Sequence, residues 1–170
     1  MARSNNSLPA FLLALRKSLV TANVAADECC QITMEDDFPS YPMGTPIIFI
    51  TPGELRAIDE GGEGEAETIF KGTLRYRLFI QSVLDNPTTD VAALTDNNTT
   101  VGLYVLFQNL LQIARFWDLG DDGGNAYLQQ PMRLTGGLSK PKRDDEHQQY
   151  VYADLNAEFV ICIGKGASGK

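Results

Sequence analysis

Residues 68–84 read "TIFKGTLRYRLFIQSVL", and their alternation decides the fold. Phe70, Leu74, Tyr76, Leu78, Ile80 and Leu84 share one parity, while Lys71, Thr73, Arg75 and Arg77 share the other. A period of two is the signature of a β-strand with one face buried. If continuous, the run spans on the order of 55 Å at roughly 3.3 Å per residue. A compact chain of this size has a radius of gyration of about 15 Å, so the strand is expected to extend past its own core and to meet a neighbour there.

The chain closes on a second long alternating run, "YVYADLNAEFVICI". Val151, Ala153, Leu155, Ala157, Phe159, Ile161 and Ile163 fall on one parity, which predicts another long strand. Shorter apolar runs at Cys30 to Met34 and Pro46 to Ile50 read as strands, separated by a proline- and glycine-marked irregular loop. Two helices frame this set. Ser7 can cap the first, with Pro9 in its first turn where a missing N–H does no harm. Leu8, Phe11, Leu12, Leu15 and Leu19 then recur at helical spacing, Arg16 and Lys17 face out, and the helix ends near Asn23. In the second helix Leu103, Leu106, Phe107, Leu110, Leu111, Ala114 and Trp117 form a broad apolar face, and Gly120 is its stop.

Three segments read as connections. The stretch Thr51 to Glu67, "TPGELRAIDEGGEGEAE", is glycine-rich and acidic, and predicts a mobile loop or hairpin tip with one short helical turn. Asp85 to Asn98 leads into the second helix. The run "SKPKRDDEHQQ" predicts an exposed loop, preceded by a short strand at Met132 to Leu134. The order predicts an α+β fold, a mostly antiparallel sheet with long projecting strands and two main helices packed on one face. One domain over residues 1–170 is expected, with flexible ends at about 1–6 and 165–170.

Composition narrows the function classes. A net charge of −8 argues against a general nucleic-acid coat, whose binding depends on Lys and Arg neutralising phosphates. Cys29, Cys30 and Cys162 make neither an even disulfide framework nor a zinc spacing, and read as buried thiols. The apolar stretch Leu8 to Leu15 falls far short of the roughly 20 residues of a membrane span, so a soluble, cytosolically made chain is expected. The ending "GKGASGK" matches GxxxxGK but lacks the hydroxyl residue and helix that a phosphate loop needs, and reads as a flexible tail after the last strand.

Enzyme chemistry has few footholds. His147, the sole histidine, sits beside Asp144, Asp145 and Glu146, where a metal cluster or general base is conceivable, but adjacent residues do not converge without a scaffold. Asp59, Glu60, Glu63, Glu65 and Glu67 lack the spacing of a calcium loop. The stripe Lys71, Arg75 and Arg77 has two readings: a solvent face, partnered by nearby acids, or a surface facing another subunit or DNA. No catalytic, cofactor or metal residue is assigned.

Taken together, "LPAFLLALRKSLV", "PIIFI", "FKGTLRYRLFIQ", "TTVGLYVLFQNLLQIARF", "LQQPMRLTGG" and "YVYADLNAEFVI" resemble the tail-terminator, or tail-completion, proteins of long-tailed bacteriophages across most of the chain. The glycine-rich acidic stretch and "LSKPKRDDEHQQ" depart from that pattern. The resemblance implies a non-enzymatic virion protein that forms a ring, a homohexamer, capping the tail tube and joining it to the head connector or neck. It implies no cofactor, no membrane, DNA passing through without sequence-specific binding, and assembly in the host cytoplasm. On that reading Lys71, Arg75 and Arg77 face a subunit interface or the lumen. Asp59, Glu60, Glu63 and Glu65, and Lys142, Arg143, Asp144 and Asp145, lie on partner-facing loops. Another tail or neck component, a small metal-dependent nuclease at Asp144 to His147, and a DNA-binding adaptor are the alternatives.

Overall fold

The computed structural model describes residues 7–34, 46–60, 67–81, 102–114, 128–144 and 150–164. Expectations for the two chain ends, for residues 82–101 and for residues 115–127, including Trp117 and the stop at Gly120, lie outside them.

Helix α1 spans Leu8–Thr21, and its start follows the sequence: the Ser7 hydroxyl accepts the Ala10 N–H at 3.2 Å, and proline occupies the first turn. Its end is a hydrogen-bonded reversal. Asn23 takes a left-handed φ of 56°, the Val24 N–H donates to the Leu19 carbonyl, and the Asn23 N–H donates to Val20, both at 3.0 Å. Leu19 and Val24 are both buried, as this Schellman arrangement favours. Arg16, expected to face solvent, instead crosses to the next segment. Its Nε donates to the Cys30 carbonyl at 2.6 Å and its Nη2 to the Asp27 carbonyl at 2.7 Å, tying α1 to the 3-10 turn Asp27–Cys29 and to β1, Cys30–Ile32.

The remaining elements are β2 (Ile47–Glu60), β3 (Glu67–Gln81), α2 (Leu103–Ala114), β4 (Leu128–Thr135), β5 (Lys142–Arg143) and β6 (Tyr150–Gly164). The six strands form one sheet in the order β1-β2-β3-β6-β4, with β5 also on β6. Only β1 and β2 run parallel. Strands β3 and β6 pair without interruption from Glu67 opposite Gly164 to Gln81 opposite Tyr150. Strands β4 and β5 lie end to end along the other side of β6, and Ser139 fills the gap between them. Its N–H donates to the Asp154 carbonyl at 2.8 Å, and its hydroxyl accepts the Asp154 N–H at 2.8 Å. Both peptide groups of Asp154 on that edge are thereby satisfied.

The two faces follow from parity. Leu74, Tyr76, Leu78 and Ile80 of β3, with Ala153, Leu155, Ala157 and Phe159 of β6, face the helices and are buried. Phe11 of α1 packs on Phe159 with ring centroids 4.7 Å apart. Beneath that ring runs Gly72 of β3, opposite Phe159 in the ladder, where any side chain would collide with the ring. Strand β3 therefore continues through Gly72. The far face carries the other parity and has a polar middle bounded by two buried apolar patches. One is Ile47, Phe49 and Phe79; the other is Val160 and Cys162.

Three further expectations are corrected. The acidic stretch begins as strand: β2 continues through Thr51 to Glu60 with no helical turn, pairing with β3. Two irregularities hide it, because β2 carries one extra residue between Pro52 and Leu55 and another between Ala57 and Asp59. The first shifts parity, so Leu55 and Ala57 stand opposite Gly72 and Phe70; the second leaves Ile58 57% exposed. The loop expected at "SKPKRDDEHQQ" contains β5, and the short strand at Met132 to Leu134 extends over Leu128–Thr135.

Candidate functional site

Alternation brings the predicted basic stripe together on the far face, as rows of residues in register across the sheet. Phe49, Arg77 and Asp154 form one row; Thr51, Arg75, Asn156 and Thr135 the next; Thr73, Glu158 and Arg133 the third; and Arg56, Lys71 and Val160 the fourth. The cations meet acids on β6. Arg77 makes a bidentate pair with Asp154, Nε to Oδ1 at 2.7 Å and Nη2 to Oδ2 at 2.9 Å. Its guanidinium lies 4.6 Å from the Tyr152 ring centroid. The side chains are 15% and 23% exposed, so this pair is sheltered from solvent screening. The hydrogen bond to Asp154 raises the Arg77 pKa against the opposing effect of burial, and the guanidinium stays charged.

Lys71 Nζ lies 2.9 Å from Glu158 Oε2, a more exposed pair of the kind worth about 0.2–1 kcal/mol. On the neighbouring strand Arg56 bonds Glu54 at 2.7 Å. Lys71 and Arg77 of the stripe therefore form cross-strand pairs with acids of the final strand.

Between the Arg77 and Lys71 pairs the face sinks into a groove of about 470 Å³, whose floor is the row Thr51, Arg75, Asn156 and Thr135. Thr73, Pro52 and Gly53 complete one side. A Cβ at Gly53 would run into the Thr73 hydroxyl, which would have to turn away. The Thr51 hydroxyl also lies 3.1 Å from that of Thr33, just beyond β1, where the Thr33 N–H donates to the Ile50 carbonyl. Among the described residues the groove is lined by one guanidinium, three hydroxyls and one carboxamide, and by no carboxylate.

The other predicted residues do not join this groove. Asp59 and Glu60 end β2, and Glu63 and Glu65 lie outside the described residues. Lys142 and Arg143 form β5 opposite Tyr152 and Val151, whereas Glu60 stands opposite Thr68 and, one strand on, Ile163. At roughly 3.3 Å per residue the two sets lie about 40 Å apart along the sheet. The Asp144 N–H donates to the Tyr150 carbonyl at 3.0 Å, while Asp145 and His147 lie outside the described residues. Among the described residues no group of three or more His, Cys, Asp or Glu could hold a metal ion.

The three cysteines are buried thiols that form no disulfide. Burial, and then Glu28, raise the Cys29 thiol, and burial pushes Cys30 up to about 12, which keeps both protonated at neutral pH. Sequence reasoning missed Thr51, Asn156, Thr135, Asp154 and Glu158. A signal for two of them was present: Asp154 and Glu158 share the polar parity of the last strand, the natural complement to the basic parity of β3.

No family model matches the chain, and no curated protein matches it. Among the described residues no helix is long and apolar enough to cross a membrane.

Proposed function

We propose that this chain is a non-enzymatic structural protein that assembles into a ring, of the tail-terminator type that caps a phage tail tube and joins it to the head connector. One observation carries the reading. Strand β2 runs on from Thr51 to Glu60, about 30 Å, beyond Ile50, the last residue β1 pairs, and Glu54, Arg56 and Ile58 in that stretch are exposed. A hairpin arm of that length, standing at the border of a well-packed sheet, offers surface to a neighbour rather than to the chain's own core. Closed rings are the usual way that an arm of one subunit meets a different patch of the next without open-ended growth. The cross-strand pairing of Lys71 and Arg77 also favours this reading over a DNA-binding adaptor, because their charges are offset within the chain.

Native mass spectrometry and negative-stain microscopy of the purified chain test the proposal, together with its binding to tail tubes. A six-membered ring that caps tube ends is expected. A monomer at all concentrations, with no affinity for tube or connector, refutes it; filaments of the isolated protein point to a tube subunit instead.

A further inference from the structure

Two strand edges stand open at the same height on opposite sides of the sheet. Strand β1 covers the outer edge of β2 only as far as Ile50, where the Thr33 N–H donates to the Ile50 carbonyl, and no other described strand continues along it to Glu60. Strand β4 ends the sheet on the other side, and no described strand pairs with its outer edge. The ladders run level between these edges. Pro52 connects through Leu74 and Ala157 to Leu134, and Ala57 connects through Phe70 and Ile161 to Leu128. The open part of β2 and the length of β4 therefore occupy the same rows, with β3 and β6 holding them apart within one molecule. Strands β2, β3, β6 and β4 alternate in direction, so a second copy rotated about an axis along the strands brings its β4 antiparallel to this β2, with the helix faces of both sheets on one side.

The side chains along the two edges match in these level rows. The row of Thr73 and Glu158 ends at Arg133 on β4 and at the extra residues Gly53 and Glu54 on β2, so Glu54 meets Arg133 of the second copy. Arg133 is exposed and has no ion pair among the described residues. Glu54 bonds Arg56 through Oε1, in a pair with side chains 63% and 74% exposed, which leaves its second oxygen for a further cation. One row on, Arg56 meets Gln130, both exposed, and on the helix face half-buried Pro52 meets half-buried Leu134. A slip of two residues would set Arg56 against Arg133, so charge selects the level register. Pro52 and Pro131 lack an N–H and keep an arbitrary strand from adding to either edge. In the level register Pro52 meets the end of β4, and Pro131 falls at the irregularity between Gln130 and Arg133.

We infer that the outer edge of β2, from Pro52 to Ile58, pairs antiparallel with the outer edge of β4 in a second copy of this chain, with Glu54 facing Arg133. The inference rests on the ring reading and names its subunit contact. The two edges are different patches, so the contact is head-to-tail, the kind that closes into a ring when the rotation permits. Closure also occupies both open edges at once.

The test uses the full chain. Carrying Glu54→Cys and Arg133→Cys together, it should form disulfide-linked species up to the whole ring on a non-reducing gel after mild oxidation, while neither substitution alone cross-links. Glu54→Arg and Arg133→Glu should each weaken self-association about tenfold in native mass spectrometry, with circular dichroism unchanged, because like charges then face each other. Mixing the two variants, or combining both changes in one chain, should restore assembly, since every contact again joins opposite charges. Should a reversal fail to fold, amide exchange of the wild type decides: residues 53–58 and 128–135 should both exchange about tenfold more slowly in the assembly than in the dilute chain, and unchanged exchange at either edge overturns the contact. Rings that form without the cross-link, and equally well in both charge variants, overturn this contact and leave the ring reading standing. Open filaments cross-linked through the two positions support the contact and overturn the ring. Dimers cross-linked through Glu54→Cys alone place two β2 edges together and overturn the inference. A wild type that stays monomeric overturns both.

Discussion

Replacing Gly72 with alanine should destabilise the protein, and the size of the effect can be worked from the geometry. A Cβ at this position would stand 2.7 and 2.9 Å from the two Cε atoms of Phe159 and closer still to Cζ, where ordinary contacts begin at 3.4 Å. The ring would have to withdraw by roughly 1 Å, yet Phe11 lies behind it with ring centroids 4.7 Å apart, and both rings are buried. Overpacking of this kind costs about 1–3 kcal/mol. The smaller conformational freedom of alanine in the unfolded chain offsets about 0.4–1 kcal/mol. A net loss of about 1–2 kcal/mol remains, which for a chain of this size lowers Tm by roughly 2–8 °C. Urea unfolding followed by far-UV circular dichroism, at one protein concentration, measures it. The same substitution in a Phe159→Leu background should cost much less, because the obstructing ring is gone. Wild-type stability in Gly72→Ala, or an equal loss in both backgrounds, would refute the reasoning.

Other outcomes follow from the same geometry. A double-mutant cycle of Arg77→Met and Asp154→Asn should give a coupling energy of about 1–3 kcal/mol by urea unfolding, well above that for the more exposed pair Lys71 and Glu158. Asn23→Gly should leave stability within a few tenths of a kcal/mol, whereas Asn23→Val should lose about 1–2 kcal/mol in thermal melts, since only the latter resists the left-handed φ. The Cys30 thiol is held at about 12 against an ordinary 9.0, so above pH 9 the unfolded chain gives up a proton that the folded chain keeps. Unfolding free energy should therefore fall as pH rises from about 9 towards 12, and fall less steeply in Cys30→Ala.

The parts of the fold that were legible in the sequence are those whose pattern is unbroken. Strand β3 and strand β6 keep strict alternation, and α1 announces itself through Ser7, Pro9 and the spacing of Phe11, Leu15 and Leu19. The distal half of β2 was hidden because its extra residues break the period of two, while Gly53 and the surrounding acids carry the composition of a loop. Strand β5 was hidden because two residues carry no period at all. The basic stripe could be read from one strand. The groove could not, since Thr51, Arg75, Asn156 and Thr135 belong to four strands and become neighbours only through register. Long-range pairing of that kind leaves no local trace in composition.

The irregularity between Pro52 and Leu55 bears on how such hairpins can diverge between relatives. Because β2 advances three residues there while β3 advances two, losing one residue would leave Leu55 opposite Gly72 and Ala57 opposite Phe70. Both faces of the arm would survive the deletion, and the local bend beside Thr73 would not. A further insertion at the same place would turn Leu55 outward and Arg56 inward, inverting the arm as a whole. Length variation at this one point is therefore asymmetric: relatives shorter by a residue can retain the arm and lose the groove's rim, while relatives longer by a residue must rebuild both.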